Sequence, residues 1–477
     1  MIDIYNKLIN DVKGKKCAVL GLGISNLPLV KLLLFLKVEA DITVYDKKPP
    51  EALGEEALKL QKKGIRFVSG ENCFDEIDAD IIFRSPGIRP DKAGIPAAVE
   101  RGAEITSEME VFLGLTPART FAITGSDGKT TTTTICGKFL SESGRAFVGG
   151  NIGRPLIDIC GNMTERDSVV LELSSFQLIN MTNQPECVAI TNITPNHLDW
   201  HTDEDEYAQA KYNIVGERTR RVVVNADNQK TRRFGKRLVA EGEREVVFFS
   251  STARSYFDVM KTVEDNASVI FCKGGDIYIS DGRSSELLLD TSLIRLPGIH
   301  NVENYMTAIG LTYGYVDKSA YVKVASTFGG VEHRLELVRR LHNVDYYNSS
   351  IDSSPTRTAA ALSALSGRDI VVICGGYDKN LDYAPLAESL YNRVRAVVLT
   401  GATAPKIKAA LAAYNGAGKG GLTIVEAKTF EKAVTTASSL AQSGGCVLLS
   451  PASASFDRFK NFAERGKYFK ELVKGLK

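Results

Sequence analysis

The sequence predicts an α/β protein of three domains, each built on a largely parallel sheet. Short β-branched segments such as CAVLGLG, FAIT and DIVVICGG alternate with helical patterns along the chain, which is typical of parallel sheets. At 477 residues the chain is too long for one hydrophobic core. We therefore expect domains at residues 1–117, 118–330 and 331–477, Rossmann-like or P-loop-like in fold.

The composition argues against nucleic acid as the main partner. Basic side chains number 59 and acidic side chains 57, whereas nucleic-acid phosphates are normally met by a strongly basic face. The N-terminal MIDIYNKLINDVKGKK has no signal-peptide core, and the nearby LLLFL is too short to span a bilayer. We therefore expect a cytoplasmic protein with no nucleic-acid and no membrane partner.

The first domain contains four strand-like segments and ends near Pro117. They are CAVLGLG, ITVYD, IRFVSG and IIFRSPG. The GLGISN after the first strand begins like a dinucleotide fingerprint, but Asn26 stands in place of its third glycine. Asp46 ends the second strand, where such folds hold a ribose. We expect a Rossmann-like domain without NAD, and an NADH titration would test the NAD alternative.

The second domain opens with a turn suited to phosphate. In FAITGSDGKTTTTTICGKFL a strand passes through glycines into a helix, so backbone N–H groups and the helix N-terminus can converge on an anion. The usual P-loop spacing requires a glycine where this chain has Ile123. In such a turn Lys129 would reach the β- and γ-phosphates, and the Thr130 hydroxyl would bind Mg²⁺. The alternative is a tight turn with an exposed lysine.

Two later segments of the same domain carry polar side chains at strand ends: VVLELSSFQL places Glu172 near the end of one strand, and TNITPNHLDWH places His197 in a loop after another. Strand ends are where α/β sheets gather ligands. His197 and His201 are spaced as in a zinc-binding helix, but Leu198 stands where that motif has its glutamate. Zinc is therefore disfavoured, and Glu172 alone has no assigned use.

The remaining elements follow in order along the chain. An antiparallel-looking stretch from EVVFFSS to IYISDGR precedes a helix at NVENYMTAIGLTYGY. After Gly329 and Gly330, the third domain runs through VDYYNSS, DIVVICGG, RAVVLTG and CVLLSPA.

TGSDGKTT, Thr124 to Thr131, resembles the short phosphate loop Thr-Gly-x-x-Gly-Lys-Thr-Thr of the Mur ligases and the related folylpolyglutamate synthetases. The resemblance to the Mur ligases covers essentially the full chain, with the motifs in order. It implies that ATP is bound by Gly125, Ser126, Asp127, Gly128, Lys129, Thr130 and Thr131. It further implies two Mg²⁺ ions held by Thr130, Glu172, His197 and Lys211. Lys211, in YAQAKYN, would be carbamylated, and the catalytic set would be Lys129, Glu172, His197 and Lys211.

Two further segments resemble nucleotide-binding parts of the family. LPGIHNVENYMTA resembles the adenine-binding segment, so Asn301 and Asn304 would contact the base; helix-capping or surface amides are the alternative. GGVEHRLELV resembles the start of the family's third domain, where Arg334 would reach the γ-phosphate with His333 beside it. An arginine from another domain makes chemistry conditional on closure.

The two ends of the chain bear on which branch of the family this sequence resembles. Folylpolyglutamate synthetases start almost directly with the ATPase domain, and the L-alanine-adding ligases carry Gly-x-Gly-Gly in the first domain and Tyr-Ala-His-His in the third, whereas this chain has GLGISN in the first domain and no Tyr-Ala-His-His. SPASASFDRFKNFAERG, Ser450 to Gly466, resembles the signature of the branch that adds D-glutamate, and this resemblance implies addition of D-glutamate to UDP-N-acetylmuramoyl-L-alanine through an acyl phosphate. The resemblance implies UDP-sugar contacts at Ile24, Ser25, Asn26, Asp46, Ser85, Gly87 and Asn151, D-glutamate contacts at Ser353, Lys379, Ser455 and Phe462, and a monomer.

One segment departs from the family pattern. The family has Asn-Asp-Ser followed by Lys-Ala-Thr-Asn, whereas this chain has NSSIDSS, Asn348 to Ser354. Ser349 replaces the aspartate that touches the ATP ribose, and Ile351 replaces the lysine. Asp352 is the residue we expect to substitute at the ribose. A Mur-type ligase for another amino acid and a non-catalytic nucleotide-binding protein remain as alternatives.

Overall fold

The computed structural model describes residues 3–92, 94–198, 200–263, 267–415 and 421–477. The chain forms two compact units, the first of Met1–Leu293 with Ile299–Ser326 and the second of Ile294–Gly298 with Thr327–Lys477. The first unit contains two sheets and the second unit contains one. Helices flank all three sheets, so the predicted α/β class is confirmed, while the bounds predicted for the domains stay a prediction.

The first sheet has five parallel strands in the order β3-β2-β1-β4-β5. They are β1 Lys16–Leu20, β2 Asp41–Asp46, β3 Arg66–Ser69, β4 Ile81–Arg84 and β5 Glu104–Thr106. The helices are α1 Asn6–Val12, α2 Asn26–Phe35, α3 Pro50–Leu53, α4 Glu55–Lys62, α5 Ile95–Glu100 and α6 Glu108–Leu115. The strand order reverses between β1 and β4, so the loops after these strands lie side by side at the switch point where such sheets bind ligands.

The second sheet has nine strands in the order β14-β13-β12-β11-β10-β9-β6-β8-β7. They are β6 Arg119–Thr124, β7 Ala146–Gly150, β8 Ser168–Glu172, β9 Cys187–Ile190, β10 Arg221–Asn225, β11 Glu245–Ser250, β12 Ser268–Lys273, β13 Asp276–Ser280 and β14 Ser285–Asp290. Only the pairings β12 with β13 and β13 with β14 are antiparallel among the described strands of this sheet. Because β6 lies between β8 and β9, the turn after β6 adjoins the ends of both neighbours.

The helices of this part of the chain pack on both sides of the second sheet. They are α7 Lys129–Ser141, α8 Ser175–Leu178, α9 Glu204–Tyr212, α10 Gln229–Glu241, α11 Tyr256–Val263, α12 Ile299–Thr312 and α13 Lys318–Thr327. Short 3₁₀ helices occur at Asp3–Tyr5, Ile157–Asn162 and Thr291–Leu293. The sequence predicted α12 within two residues of its observed start.

The third sheet has six strands in the order β15-β16-β20-β17-β18-β19, with only β15 antiparallel to its neighbour among the described strands. They are β15 Glu336–Leu341, β16 Val344–Asn348, β17 Ile370–Cys374, β18 Ala396–Leu399, β19 Thr423–Glu426 and β20 Cys446–Leu449. The helices are α14 Pro355–Ala364, α15 Ala384–Arg393, α16 Ala404–Ala413, α17 Phe430–Leu440 and α18 Phe462–Gly475. The loops after β16, β20 and β17 therefore lie together.

The central strands are buried on both faces, as in β8, where Val169, Val170 and Leu171 are 0% exposed. Such continuous apolar strands are typical of parallel sheets covered by helices. Within the ranges described, none of the helices has the length and apolar character needed to cross a bilayer.

Candidate active site

The turn after β6 requires glycine at two positions. Gly125 has φ of 144°, and a Cβ there would overlap Thr191 Oγ1. Gly128 has φ of 80° and precedes α7, and a Cβ there would overlap the Asn304 side chain. Both backbone conformations are ones that side chains disfavour. The two glycines thus let the turn lie close to neighbouring elements and direct the N-terminus of α7 to the end of the sheet.

The sequence predicted that the backbone N–H groups of the turn converge on an anion, but two of them donate to protein acceptors instead. Ser126 donates its N–H to the Asn192 carbonyl at 2.9 Å, and Asp127 donates its N–H to Asn192 Oδ1 at 3.0 Å. The Ser126 hydroxyl also donates to the Thr194 carbonyl at 2.9 Å. These bonds fix the turn to the loop after β9. The predicted anion site is therefore narrowed to the N-terminus of α7.

Two lysine amines meet at one carbonyl oxygen of the turn. Lys129 Nζ donates to the carbonyls of Gly125 and Ser126, each at 2.9 Å, and Lys211 Nζ donates to the Gly125 carbonyl at 2.8 Å. Lys211 is 1% exposed, and burial, followed by the charge of Lys129, holds its pKa well below the ordinary lysine value. Lys211 is therefore an amine that is readily deprotonated, which is the nucleophilic form.

Glu172 ends β8 with a buried carboxylate that is only half satisfied. Its Oε1 accepts a hydrogen bond from Asn151 Nδ2 at 3.0 Å, and its backbone carbonyl accepts from the Asn151 N–H at 2.7 Å. Its Oε2 has no hydrogen-bond partner among the described residues, although the side chain is 2% exposed. An unsatisfied buried carboxylate oxygen is costly. The residues present therefore fit a bound cation beside Glu172.

The two histidines of the loop after β9 differ in environment. His197 is exposed, has φ of 55°, and its ring lies 5.1 Å from the ring of Phe176. Both ring nitrogens of His201 are hydrogen-bonded, to Glu206 and to Ser175. Both ring nitrogens of His201 thus have protein partners, and the case against zinc still rests on the sequence argument. Over the described ranges there is no cluster of three His, Cys, Asp or Glu side chains suited to a metal ion. The Mg²⁺ ligands Thr130, Glu172, His197 and carbamylated Lys211 stay a prediction.

Asn301 and Asn304 lie near the start of α12 and face the phosphate turn. Asn304 Nδ2 donates to Asn301 Oδ1 at 3.2 Å, and Thr132 Oγ1 donates to Asn304 Oδ1 at 3.1 Å. The two residues are 7% and 5% exposed. They are therefore neither surface amides nor N-caps, and the packing of α12 on α7 brings them to the predicted nucleotide site.

The predicted UDP-sugar residues of the first sheet lie at the end of β2, at the start of α2 and in the loops after β1 and β4. Asp46 accepts the N–H groups of Leu22 and Lys48, each at 3.0 Å. Asn26 is 1% exposed and donates to the carbonyls of Leu20, Gly21 and Phe83, so its amide links the ends of β1 and β4 instead of facing solvent. Ile24 is 81% exposed, Gly87 is exposed, and Ser25 and Ser85 are half-buried.

The predicted D-glutamate residues lie on the adjacent loops of the second unit and at the start of α18. Ser455 is buried, Ser353 half-buried, and Lys379 and Phe462 exposed. Lys379 Nζ lies 5.6 Å from the centre of the Phe456 ring.

Sequence reasoning missed Arg465, which holds these loops in place. It is 2% exposed and donates to Ser350 Oγ and to the carbonyls of Ser350, Ser453 and Ala454, at 2.9 to 3.1 Å. Its position inside SPASASFDRFKNFAERG was the available signal. Five donors on one buried guanidinium make arginine the suitable residue here.

The segment NSSIDSS, which departs from the family pattern, has most of its polar side chains buried. Ser349 is 1% exposed and its Oγ accepts the Leu335 N–H at 3.2 Å. Asp352 is 6% exposed and accepts from Ser450 Oγ at 2.8 Å. Burial raises the pKa of Asp352 to about 6. Its carboxyl group thus already has a protein partner, which the sequence did not predict.

The two residues predicted beside the γ-phosphate differ in exposure. Arg334 is exposed, whereas His333 is buried, and its Nδ1 lies 2.9 Å from Asn348 Nδ2.

Comparison with known families covers each of the three sheets. Residues 15–107 match the Mur ligase MurD-like N-terminal domain, residues 123–312 the Mur ligase middle domain, and residues 333–453 the Mur ligase glutamate ligase domain. Among solved structures, the chain is similar to a UDP-N-acetylmuramate–alanine ligase from Thermotoga maritima, with a TM-score of 0.52, 18% identity and coverage of 97% of this chain and 100% of that one. It is also similar to a UDP-N-acetylmuramoyl-L-alanyl-D-glutamate–2,6-diaminopimelate ligase, with a TM-score of 0.55, 15% identity and coverage of 98% and 93%. These structures support the fold.

Two curated relatives are similar over almost their full length. Both are named UDP-N-acetylmuramoylalanine–D-glutamate ligase. The one from Ruminiclostridium cellulolyticum is 43% identical and covers 98% of each chain; the one from Acetivibrio thermocellus is 44% identical and covers 99% of each. The chain therefore belongs to the Mur ligase family. The predicted resemblance to the branch named for D-glutamate is confirmed, and ATP as the nucleotide is supported by the family.

Proposed function

We propose that this chain is the ATP-dependent ligase that joins D-glutamate to UDP-N-acetylmuramoyl-L-alanine in peptidoglycan precursor synthesis. The substrates are those named in the relatives that are 43% and 44% identical. The observation that carries the chemistry is the meeting of Lys129 and Lys211 at the Gly125 carbonyl, on a turn that leads into the N-terminus of α7. Such a turn suits a polyphosphate.

The reaction has two steps. A carboxylate oxygen of UDP-N-acetylmuramoyl-L-alanine attacks the γ-phosphorus of ATP, ADP leaves, and an acyl phosphate forms. The D-glutamate amine then attacks the acyl carbon, phosphate leaves, and the nitrogen loses its proton. Phosphorylation replaces a poor leaving group by a good one. Lys129 reduces the repulsion between the two anions that must meet.

The proposed Mg²⁺ ligands are Thr130, Glu172, His197 and carbamylated Lys211, for two ions. When bound, Mg²⁺ would neutralise charge on the phosphates. The half-satisfied carboxylate of Glu172 supports a cation at this position. The lowered pKa of Lys211 supports carbamylation, because only a neutral amine adds to carbon dioxide, and the product carries a carboxylate in place of a cation.

The remaining assignments extend the same proposal. In the first unit the nucleotide would contact Gly125 to Thr131, Asn301 and Asn304, and the UDP-sugar would contact Ile24, Ser25, Asn26, Asp46, Ser85, Gly87 and Asn151. In the second unit Arg334 and Asp352 would serve ATP, and Ser353, Lys379, Ser455 and Phe462 would serve D-glutamate. We also propose that the protein acts as a cytoplasmic monomer, with domains at 1–117, 118–330 and 331–477.

The first experiment is phosphate release from Mg²⁺-ATP with UDP-N-acetylmuramoyl-L-alanine, comparing D-glutamate with L-glutamate, L-alanine, L-lysine and diaminopimelate. Release confined to D-glutamate supports the proposal, and release with another amino acid changes the substrate but keeps the chemistry. Oxygen-18 in the substrate carboxylate should appear in the released phosphate, since the attacking oxygen leaves with it.

A matched pair of variants tests the phosphate turn. Lys129→Ala should abolish ADP formation, whereas Lys138→Ala, on the exposed side of the same helix, should retain normal turnover. Near-normal activity of Lys129→Ala would refute the assignment of the nucleotide site.

A further inference from the structure

Arg89 fastens the loop after β4 to elements of the second sheet. Its guanidinium donates to both carboxylate oxygens of Glu206, at 3.0 and 2.9 Å, and to both of Asp91, each at 2.9 Å. It also donates to the Trp200 carbonyl and lies 5.0 Å from the centre of the Trp200 ring. Paired hydrogen bonds of this kind fix both distance and orientation. Arg89 is thus a rigid link that follows Ser85 and Gly87 by only a few residues.

Glu206 connects Arg89 to His201, and His201 is in turn hydrogen-bonded to Ser175. Its Oε2 accepts from Arg89, from His201 Nδ1 at 3.0 Å and from the Thr202 N–H at 3.0 Å. Because a carboxylate only accepts, His201 must carry its proton on Nδ1, and Nε2 then accepts from Ser175 Oγ at 2.9 Å. The His201 side chain is 0% exposed, and burial lowers its pKa. One neutral tautomer therefore satisfies the whole chain of bonds.

Two members of this hydrogen-bond network, Glu206 and Ser175, lie close in sequence to proposed catalytic groups. Glu206 and Lys211 share α9, and Ser175 begins α8 three residues after Glu172. The ring of Phe176, the next residue of α8, lies 4.3 Å from the Trp200 ring and 5.1 Å from the His197 ring.

A second arginine reinforces the same junction. Arg84, which ends β4 and is 1% exposed, donates to the Ile88 carbonyl at 2.6 Å. It also donates to the Phe176 carbonyl at 2.9 Å and to Asn180 Oδ1 at 2.7 Å. Both arginines therefore join the loop after β4 to the elements that position Glu172, His197 and Lys211.

We propose that Arg89, Glu206 and His201 are positioning residues through which occupation of the UDP-sugar loop orders the loop of His197 and the helix of Lys211. The inference rests on the proposed function, because it takes Ser85 and Gly87 as UDP-sugar contacts. A displacement of the loop after β4 would move Arg89 and, through the Glu206 carboxylate, the helix α9. Binding of the UDP-sugar and readiness for phosphoryl transfer are thereby coupled.

Hydrogen–deuterium exchange of the full chain tests the coupling without catalysis. UDP-N-acetylmuramoyl-L-alanine, added without ATP and Mg²⁺, should slow amide exchange at least five-fold across residues 200–212 of the wild-type protein. Glu206→Gln, which keeps the shape but cannot accept from both Arg89 and His201 as a carboxylate does, should lose this protection. Arg89→Lys, which cannot form the paired bonds, should lose it as well.

Steady-state kinetics give the second readout. Both variants should lower kcat at least ten-fold and raise the half-saturating Mg²⁺ concentration, while the KM for D-glutamate stays within two-fold of wild type. Asp167→Asn is the matched control. Asp167 forms a similar pair of hydrogen bonds with Arg145, at 2.9 and 2.6 Å. These two residues directly precede β8 and β7, so they lie at the other end of β8 from Glu172. This variant should lower the melting temperature but keep kcat and the exchange protection.

The possible failures are distinguishable. A folded wild type that binds the UDP-sugar without protection of 200–212 overturns the coupling, as does a Glu206→Gln variant that behaves like Asp167→Asn. A wild type that releases no phosphate with D-glutamate overturns the proposed function instead, and one that does not bind the UDP-sugar overturns both.

Discussion

Glu108→Gln should weaken the decrease in the free energy of unfolding of the first unit as the pH rises from 4.5 to 8. Glu108 opens α6 directly after its N-cap Ser107 and is 4% exposed. Its Oε1 has no hydrogen-bond partner in the described parts of the chain, and the 3₁₀ helix Ile157–Asn162 facing it carries Asp158. Burial is the main cause that raises the pKa of Glu108 from 4.5 to about 8. The folded protein thus retains a proton that the unfolded chain has already lost.

The sign and size of the effect follow from this difference. Below pH 4.5 both states are protonated, and above pH 8 both are ionised, so Glu108 changes the free energy of unfolding only between these values. Within that window the unfolded state binds fewer protons, so stability falls as the pH rises, by about 1.4 kcal/mol per pH unit. The full window corresponds to about 5 kcal/mol. Glutamine does not titrate and removes this loss.

Urea unfolding at pH 5, 6, 7 and 8, followed by the fluorescence of Trp200, measures the difference between variant and wild type. At pH 5 the variant should be equal or less stable, because the new amide N–H group lacks an acceptor, at a cost of about 1–3 kcal/mol. The difference should then move in favour of the variant with each pH unit. A difference that is constant from pH 5 to 8, or that moves in favour of wild type, would refute the reasoning.

Three other predictions concern the site. Gly125→Ala should weaken ATP binding at least ten-fold and lower the melting temperature, because the methyl group would overlap Thr191; calorimetry measures both, and unchanged affinity would contradict it. Arg465→Lys should raise the KM for D-glutamate about ten-fold, since the buried carbonyls it leaves unpaired cost about 1–3 kcal/mol; a KM equal to wild type would exclude the role of Arg465 in the loops. Removal of carbon dioxide should lower activity and bicarbonate should restore it, with a ¹³C carbamate signal from labelled bicarbonate that disappears in Lys211→Ala; a signal that persists in the variant would assign it to another amine.

The phosphate turn could be predicted from the sequence because its strand, glycines, lysine and hydroxyl are contiguous. The chemistry of such a turn depends on local backbone geometry, and local geometry depends on neighbouring residues. The central strands could be predicted for a similar reason, since parallel strands buried on both faces are continuous apolar segments. Short strands at or near sheet edges, such as Glu104–Thr106 and Thr423–Glu426, were missed because partly exposed strands need little apolar pattern.

The environment of the polar side chains could not be predicted. Nothing around Asp352 in the sequence shows that Ser450, almost a hundred residues away, donates a hydrogen bond to its carboxylate in the core. The same holds for Glu206, whose three partners come from two different domains of the predicted organisation. Such contacts depend on which strand ends are adjacent in the sheets, and strand order is a tertiary property.

The two glycines of the phosphate turn also bear on drug resistance. A side chain at Gly125 or Gly128 would overlap Thr191 or Asn304, so neither glycine can readily be replaced by a larger residue. An inhibitor that contacts only the backbone of the turn would therefore meet a surface that point substitutions cannot reshape without harming the enzyme's own nucleotide site. Compounds that reach instead for exposed side chains, such as Ile24 at 81% exposure, would be open to escape by a single substitution.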